Sequence, residues 1–221
     1  MNVALIPVRG RSKGIPQKNI RLMNGKPLVH WVTEAALNSS LNKVYVSTDS
    51  IEIMECVNEM NHPNLIVIER SKETSTDNAS TESVMLEFAG KYTFDNIALI
   101  QATSPLLTSN QINEAFDIYF NENADSLLTC VRQKRFLWEL TDDGYHPINY
   151  NYYNRPQRQD FEGFIVENGA LYITSKNQLV KTKSRISGNI SIYEMPPETY
   201  HEIDEFTDWT VVQQIMIEKN Y

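Results

Sequence analysis

Short apolar runs, each followed by a segment with helical spacing, constrain the fold of this 221-residue chain. The runs cover residues 3–8, 43–48, 65–68, 96–101 and 126–131. The run at 96–101 is almost continuously apolar, as expected for a strand buried on both faces of a sheet. Strands that alternate with helices predict a Rossmann-like, doubly wound α/β fold with a mainly parallel sheet. The length suits one domain over residues 1–221.

The pattern changes in the second half of the chain. Residues 141–164 have no clear helical or strand period and contain six large aromatic side chains: Tyr145, Tyr150, Tyr152, Tyr153, Phe161 and Phe164. A long aromatic stretch indicates a functional loop or an interface, although an ordinary packed loop is the alternative. We therefore expect a small dimerisation arm at about residues 135–165. Strands resume at 169–174 and 190–194, and a closing helix is predicted over 207–219.

A basic loop follows the first run. Residues 9–26 contain six Lys and Arg side chains and no acidic one, whereas the whole chain has 28 Asp and Glu against 20 Lys and Arg, for a net charge of −8. Backbone N–H groups in a loop after a first strand, together with the next helix N-terminus, favour phosphate binding. The loop predicts a polyphosphate site, and the alternative is a solvated basic loop. Asp49, Arg70 and Gln101 follow the next three strands, at the edge where open α/β sheets bind ligands.

Several function classes have little support. The chain contains no G-x-G-x-x-G, G-x-x-x-x-G-K-[ST] or G-x-S-x-G motif, and its four histidines lack metal-ligand spacing. The sequence pI near 5.1 argues against broad nucleic-acid binding. No apolar run approaches the roughly 20 residues that span a bilayer, and the first run ends too early for a signal peptide, so we expect a cytoplasmic protein. Cys56 and Cys130 are expected to be thiols rather than a disulfide.

Two acidic residues near the C-terminal helix form a candidate metal site. Glu202 and Asp204 flank Ile203, so both carboxylates point the same way in an extended segment. Such a pair suits magnesium, the usual companion of a nucleoside triphosphate. Helix capping is the alternative role for these acids.

Seven motifs, taken together, carry a resemblance to a known family. They are R-G-R-S-K-G-I-P-Q-K-N at 9–19, S-T-D at 47–49, T-D-N-A-S-T at 76–81, L-I-Q-A-T-S-P-L at 99–106, R-P-Q-R-Q-D at 155–160, E-N-G-A-L-Y at 167–172 and E-I-D at 202–204. In this order the chain resembles the CMP-sialic acid synthetases, or acylneuraminate cytidylyltransferases, over essentially its whole length. The first motif alone admits other sugar nucleotidyltransferases. R-P-x-R-Q-D with E-N-G is more specific to enzymes that activate nine-carbon 2-keto acids.

The resemblance implies a magnesium-dependent transfer of CMP from CTP to the anomeric hydroxyl of a nine-carbon 2-keto sugar acid, with release of pyrophosphate. Arg9, Lys18 and Asn19 would grip the phosphates. The cytidine would lie against Arg70, Ala79 and Thr81, the last at a position where Ser is common in the family.

The family also implies roles further along the chain. Gln101, Arg158 and Asn168 would face the sugar, with Arg158 reaching across a homodimer from the partner subunit. Asp204 would hold magnesium with Glu202, which stands where many relatives have Asp. No residue stands out as a general base.

Two alternatives remain open from the sequence. One is a cytidylyltransferase for the eight-carbon acid KDO, although those relatives lack the E-N-G element. The other is a module that binds a nucleotide without turnover, against which Lys18 and Asp204 argue because binding alone needs no metal carboxylate. Which nine-carbon acid is used is not determined by these motifs.

Overall fold

The computed structural model describes residues 1–11 and 14–221. The strands are β1 (Asn2–Pro7), β2 (Leu22–Met23), β3 (Lys26–Pro27), β4 (Lys43–Thr48), β5 (Leu65–Glu69), β6 (Asn96–Ile100), β7 (Ser126–Gln133), β8 (Trp138–Thr141), β9 (Gly144–Pro147), β10 (Phe164–Ser175) and β11 (Ile190–Met195). The α-helices are α1 (Leu28–Leu37), α2 (Ile51–Asn58), α3 (Thr81–Lys91), α4 (Ser109–Asn121), α5 (Lys176–Thr182) and α6 (Phe206–Lys219). Short 3-10 helices lie at Lys18–Ile20, Tyr152–Asn154 and Pro197–Tyr200.

A seven-stranded sheet forms the centre of the molecule, in the order β11-β7-β10-β6-β1-β4-β5. β10 is antiparallel to both of its neighbours, and the other pairs in this sheet are parallel. The Rossmann-like α/β prediction with a mainly parallel sheet is confirmed.

Helices cover both faces of the sheet, and alternate side chains of each strand pack into the core on one face or the other. In β1, Ala4 and Ile6 join the cluster that contains residues of α1, α2 and α4. Val3 and Leu5 join the cluster that contains residues of α3 and α5. All four β1 side chains are fully buried, as the nearly continuous apolar run requires.

A third, smaller core brings the two ends of the chain together. Ile15 of the basic loop is fully buried, as is Ile203 of the segment 202–204, which we call the acidic segment. Both side chains pack with Trp209 of α6. Burial of these apolar groups fixes the basic loop beside the acidic segment. Ser12 and Lys13 of that loop lie outside the described residues.

The arm at about residues 135–165 is partly regular. β8 and β9 form an antiparallel hairpin, with Trp138 paired to Pro147 and Thr141 to Gly144. The expectation of an irregular stretch from residue 141 was therefore wrong for the hairpin. The hairpin does have a period of two, with Trp138, Leu140 and Tyr145 on one face and polar residues on the other, but each strand has only four residues, which is too short for the period to stand out in the sequence.

Two simpler expectations can be compared directly with the structure. Cys56 and Cys130 are free thiols, as expected, with Cys130 buried. No helix in the described part of the chain combines the length and hydropathy of a bilayer span.

Candidate active site

A cavity of about 680 Å³ lies beyond the carboxyl ends of β1, β5 and β6. Most of the residues predicted to form the site line it: Arg9, Lys18, Asn19, Arg70, Ala79, Thr81, Gln101 and Asp204. These residues lie together because parallel strands place the residues that follow them at one edge of the sheet, which we call the strand-end rule.

Lys18 is the most buried of the basic-loop cations that the structure describes. Gln17 adopts a left-handed conformation, with φ of 50°, and starts the 3-10 helix that carries Lys18 into the cavity. The Lys18 Nζ donates to the carbonyl oxygen of Ile203 at 2.6 Å and lies 3.3 Å from Asp204 Oδ1. Its side chain is 11% exposed and that of Asp204 is 74% exposed. A nearly buried ammonium with such partners is held in one position rather than moving freely in solvent.

Close backbone approach joins the basic loop to the acidic segment. A Cβ on Gly14 would lie 2.1 Å from the carbonyl oxygen of Asp204. Only glycine fits there without displacement of one of the two backbones.

Arg9 and Asn19 are two further residues of the basic loop that line the cavity. Arg9 Nη1 donates to Asp77 Oδ1 at 2.8 Å, and Asn19 Nδ2 donates to the carbonyl oxygen of Arg9 at 3.1 Å. Asp49 accepts from the Gly10 backbone N–H at 2.8 Å, so this strand-end acid holds the loop. These contacts fix the backbone that presents Arg9 and Lys18.

Arg70 contributes a buried guanidinium. It is 9% exposed, it donates to the carbonyl oxygen of Thr74, and its Nε has no hydrogen-bond partner among the described residues. Burial lowers the pKa of Arg70; the Asp49 charge opposes this shift and the Arg9 charge adds to it. Arg70 lines the cavity, where its positive charge suits an oxygen acceptor on a ligand, whereas its unpaired Nε is itself shielded from solvent.

Small residues and a helix start form the wall beyond Arg70. Ser80 caps α3 by accepting from the Ser83 backbone N–H at 3.1 Å. Ala79 and Thr81, on either side of this cap, line the cavity. The positive end of the α3 dipole therefore faces the same space as the basic loop.

Of the two predicted metal carboxylates, only Asp204 lines the cavity. Burial raises the pKa of Glu202; the Asp204 and Glu167 charges add to this rise and Lys18 opposes it. In the described ranges, 1–11 and 14–221, no group of three or more His, Cys, Asp or Glu forms a metal cluster. Magnesium on a nucleotide needs only one or two carboxylates with phosphate oxygens, so Asp204 fits such an ion, whose charge would also relieve the repulsion between Glu202 and Asp204.

Arg158 and Asn168 do not line the cavity. Arg158 is exposed on the arm, where its carbonyl oxygen accepts from Lys134 Nζ at 3.2 Å. Asn168 is 2% exposed, and its side chain is hydrogen-bonded to Thr129 and Thr199.

Several residues that shape the site have no role in the predictions from sequence. Asp77 pairs with Arg9, and Thr103 accepts through its carbonyl oxygen from the Ile203 N–H at 2.9 Å. Both lie inside the family motifs, which was the available signal. Their partners are far away in the chain, so spacing could not identify them.

Comparison with known proteins supports the family that the sequence motifs indicate. The sequence profile of the cytidylyltransferase family matches residues 3–218. The N-acylneuraminate cytidylyltransferase A of Danio rerio is 38% identical over 224 residues, which cover 99% of this chain and 51% of that protein. The enzyme of the same name from Escherichia coli O18:K1:H7 is 30% identical over 227 residues, 99% of this chain and 52% of that protein. The chain thus spans about half the length of these relatives.

Solved structures support the fold. A CMP:2-keto-3-deoxy-manno-octonic acid synthetase complexed with CTP superposes with a TM-score of 0.72 at 16% identity, covering 99% of both chains. A 4-diphosphocytidyl-2C-methyl-D-erythritol synthase from Anaerococcus prevotii superposes with a TM-score of 0.70 at 9% identity, covering 98% of this chain and 96% of that one. At these identities the likeness concerns the fold alone. The match over residues 3–218, with relatives that share the motifs' predicted family, means that the chain belongs to the cytidylyltransferase family.

Proposed function

We propose that this chain transfers CMP from CTP to the anomeric hydroxyl of a nine-carbon 2-keto sugar acid and releases pyrophosphate. The observation that carries the proposal is the cavity in which Arg9, Lys18 and Arg70 meet Asp204. Three cations concentrated in a protein of net charge −8 suit a polyphosphate, and the opposing carboxylate suits a metal that accompanies it. The relatives' name supplies the sugar class.

In this reaction the anomeric oxygen bonds to the α-phosphorus while the bond from that phosphorus to the pyrophosphate oxygen breaks. The hydroxyl proton leaves to solvent or to a base. The chain's contribution is placement of the two reactants and neutralisation of the negative charge that moves onto pyrophosphate. Lys18 is suited to that neutralisation, because its ammonium is held near the acidic segment at the cavity wall.

Arg70, Ala79 and Thr81 are proposed to receive the cytidine end of CTP. The guanidinium of Arg70, which lines the cavity, offers donors for a nucleotide oxygen. The small Ala79 leaves room where α3 begins, and Thr81 offers a hydroxyl in the same wall.

Asp204, with Glu202 beside it, is proposed to hold magnesium. The ion would supply positive charge to the phosphate oxygens of CTP. The chain's own part is to present Asp204 Oδ1 at the cavity wall, where the Lys18 contact and the buried Ile203 hold the segment. Gln101, at the end of β6, lines the cavity and is proposed to face the sugar acid.

We further propose that the protein acts as a homodimer in the cytoplasm, with Arg158 of one subunit serving the sugar pocket of the other. The guanidinium of Arg158 is exposed on the arm, away from its own cavity. A guanidinium suits the sugar carboxylate because it can donate two parallel hydrogen bonds.

The decisive experiment incubates the protein with CTP, magnesium and a panel of acids: neuraminic, legionaminic, pseudaminic and KDN-type nine-carbon acids, and the eight-carbon KDO. Pyrophosphate release and CMP-sugar formation are both followed. Transfer to a nine-carbon acid supports the proposal. Transfer to KDO alone would establish the eight-carbon alternative, and CTP binding without transfer to any acid would establish a non-catalytic module.

A further inference from the structure

β7 and β10 pair regularly except at one bulge. Glu167 pairs with Cys130 and Tyr172 with Leu128, so residues 168–171 of β10 lie opposite Thr129 alone. Gly169, inside the bulge, has a φ of +67°. Bulges re-aim side chains next to active sites, and the left-handed φ makes glycine the suitable residue there.

The side chain of Thr129 replaces the interrupted backbone pairing. Its hydroxyl oxygen accepts from the Leu171 N–H at 3.0 Å, and its O–H donates to Asn168 Oδ1 at 2.7 Å. Asn168 Nδ2 in turn donates to the Thr199 hydroxyl at 3.1 Å and lies 3.3 Å from the Thr199 carbonyl oxygen. The Thr199 hydroxyl itself donates to the Pro196 carbonyl oxygen at 2.7 Å.

This chain of contacts leaves Asn168 no free hydrogen-bonding capacity. Its amide nitrogen faces two oxygens of Thr199, and its oxygen accepts from Thr129 and also lies 3.4 Å from the Ala170 nitrogen. The exposed fractions of Thr129, Asn168 and Thr199 are 1%, 2% and 4%. A primary amide has two donors and two lone-pair sites, so a ligand would have to displace one of these partners.

The same bulge supports the segment that carries Asp204. Thr199 belongs to the 3-10 helix Pro197–Tyr200, which directly precedes this segment. A Cβ on Gly169 would lie 1.5 Å from Glu202 Oε1, so the glycine lets the Glu202 carboxylate rest on the β10 backbone. Further along, Ile203 is held by the Thr103 carbonyl and by Lys18.

We infer that Asn168 is a positioning residue, which acts through Thr199 to fix the segment 201–204, rather than a contact of the sugar acid. Asn168 and Gly169 then support the segment 201–204 in two ways. Asn168 is hydrogen-bonded to the 3-10 helix that precedes the segment, and the absence of a side chain on Gly169 makes room for the Glu202 carboxylate. The expected effect on catalysis rests on the proposed function, but the hydrogen-bonded link from Asn168 through Thr199 to the segment 201–204 does not.

The first test measures hydrogen exchange in the protein without nucleotide, so it does not depend on activity. Asn168→Ala and Thr199→Val each remove a link of the chain Thr129–Asn168–Thr199. Loss of a buried hydrogen bond should speed amide exchange across 201–204 by about tenfold in each variant. Thr199→Ser keeps the hydroxyl and should restore slow exchange.

Thr33→Val is the matched control. Thr33 is also fully buried and its hydroxyl donates to the Val29 carbonyl oxygen at 2.7 Å, but it lies in α1, outside the network. This variant should leave exchange at 201–204 as in the wild type. Equal exchange at 201–204 in the wild type and Thr199→Val would overturn the inference, even if Asn168→Ala does not fold.

The second test separates positioning from sugar contact by kinetics. A positioning role predicts that Asn168→Ala and Thr199→Val lower kcat by about tenfold, change the KM for the sugar acid by less than about twofold, and are no worse when combined. A raised KM in Asn168→Ala with wild-type kinetics in Thr199→Val would show a sugar contact and sink the inference. If the wild type transfers CMP to no acid, the proposed function fails while the exchange test still decides the inference.

Discussion

Lys18 illustrates how one side chain can link two distant parts of the chain. Its ammonium reaches a carbonyl oxygen 185 residues away and faces a carboxylate 186 residues away. Both contacts lie at the cavity wall, so Lys18 is held at the place where negative charge would develop on a leaving pyrophosphate. Charge placed in advance in this way lowers a barrier because no reorganisation is needed during the reaction.

We therefore expect Lys18→Ala to lower kcat/KM by an amount equivalent to about 2–4 kcal/mol of transition-state stabilisation. Steady-state pyrophosphate release measures this, and circular dichroism checks that the variant is folded. Arg21→Ala is the matched control, because Arg21 is an exposed cation of the same loop that does not line the cavity. Near-wild-type turnover of a folded Lys18→Ala protein would contradict the phosphate role.

The charge of Asp204 gives a separate prediction. Asp204→Asn keeps the shape of the side chain but removes the charge that attracts a hard divalent cation. Activity should fall steeply and return only in part as magnesium is raised. Glu202→Gln, in the carboxylate that does not line the cavity, should shift the magnesium dependence less. An unchanged magnesium dependence in Asp204→Asn would mean that the ion is held elsewhere.

Helix α3 anchors the turn that follows Arg70. Glu87 of α3 accepts from Ser71 Oγ at 2.9 Å and from Thr74 Oγ1 at 2.5 Å. The carbonyl oxygen of Thr74 in turn accepts a hydrogen bond from Arg70 Nη2. Burial alone would raise the pKa of Glu87, but hydrogen bonds from Lys91, Thr74 and Ser71 outweigh it and lower the pKa to about 2.

A lowered carboxyl pKa stabilises the folded state when the pH is above the ordinary value of 4.5, and this stability is lost as the pH falls towards about 2. We expect Glu87→Gln to lower the free energy of unfolding by about 1–3 kcal/mol at pH 7, with a smaller difference at about pH 3. Urea denaturation at the two pH values measures this. Glu73→Gln, in an exposed glutamate of the same turn, should have little effect at either pH. A Glu87→Gln effect of equal size at both would contradict the assignment.

The elements also show what the sequence could predict. The strands from β1 to β7 that were read from apolar runs are confirmed to within about two residues, because burial on both faces leaves an unbroken hydrophobic pattern. β10 begins at Phe164 rather than 169, since Asn168 and Gly169 interrupt the pattern where the bulge lies. Its antiparallel direction was not predicted either, because an apolar run does not encode strand direction.

The candidate site was predictable to a similar degree. The strand-end rule brings Arg9, Arg70 and Gln101 to one cavity from sequence order alone. The partners that hold these groups were not predictable. Asn168 meets Thr199 across 31 residues, and Arg9 meets Asp77 across 68, so neither pair leaves a local spacing to read.

In the described part of the molecule, the arm at about residues 135–165 exposes more large apolar side chains than any separate segment of the same length. Tyr153 is 85% exposed and Tyr145 is 72% exposed, and Leu140 of β8 is 67% exposed. The base of the arm is packed, by contrast: Phe136 lies 4.2 Å from Tyr150 between ring centroids, and the Arg155 guanidinium lies 4.4 Å from the Phe136 centroid. A rigid base with an apolar outer face is suited to burial against another chain.

The last prediction is a homodimer with shared sites. If Arg158 serves the partner's cavity, Arg158→Ala and Lys18→Ala proteins should each be nearly inactive yet complement one another in a heterodimer isolated through two different tags. One of its two sites would have both residues intact, so up to about half of the wild-type activity per dimer should return. Size-exclusion chromatography with light scattering tests the dimer first, and a mixed dimer of Lys18→Ala with Lys18→Ala/Arg158→Ala is the control that should stay inactive. A fully active monomer would show that the arm folds onto its own cavity, because Arg158 could then reach the sugar acid without a second chain.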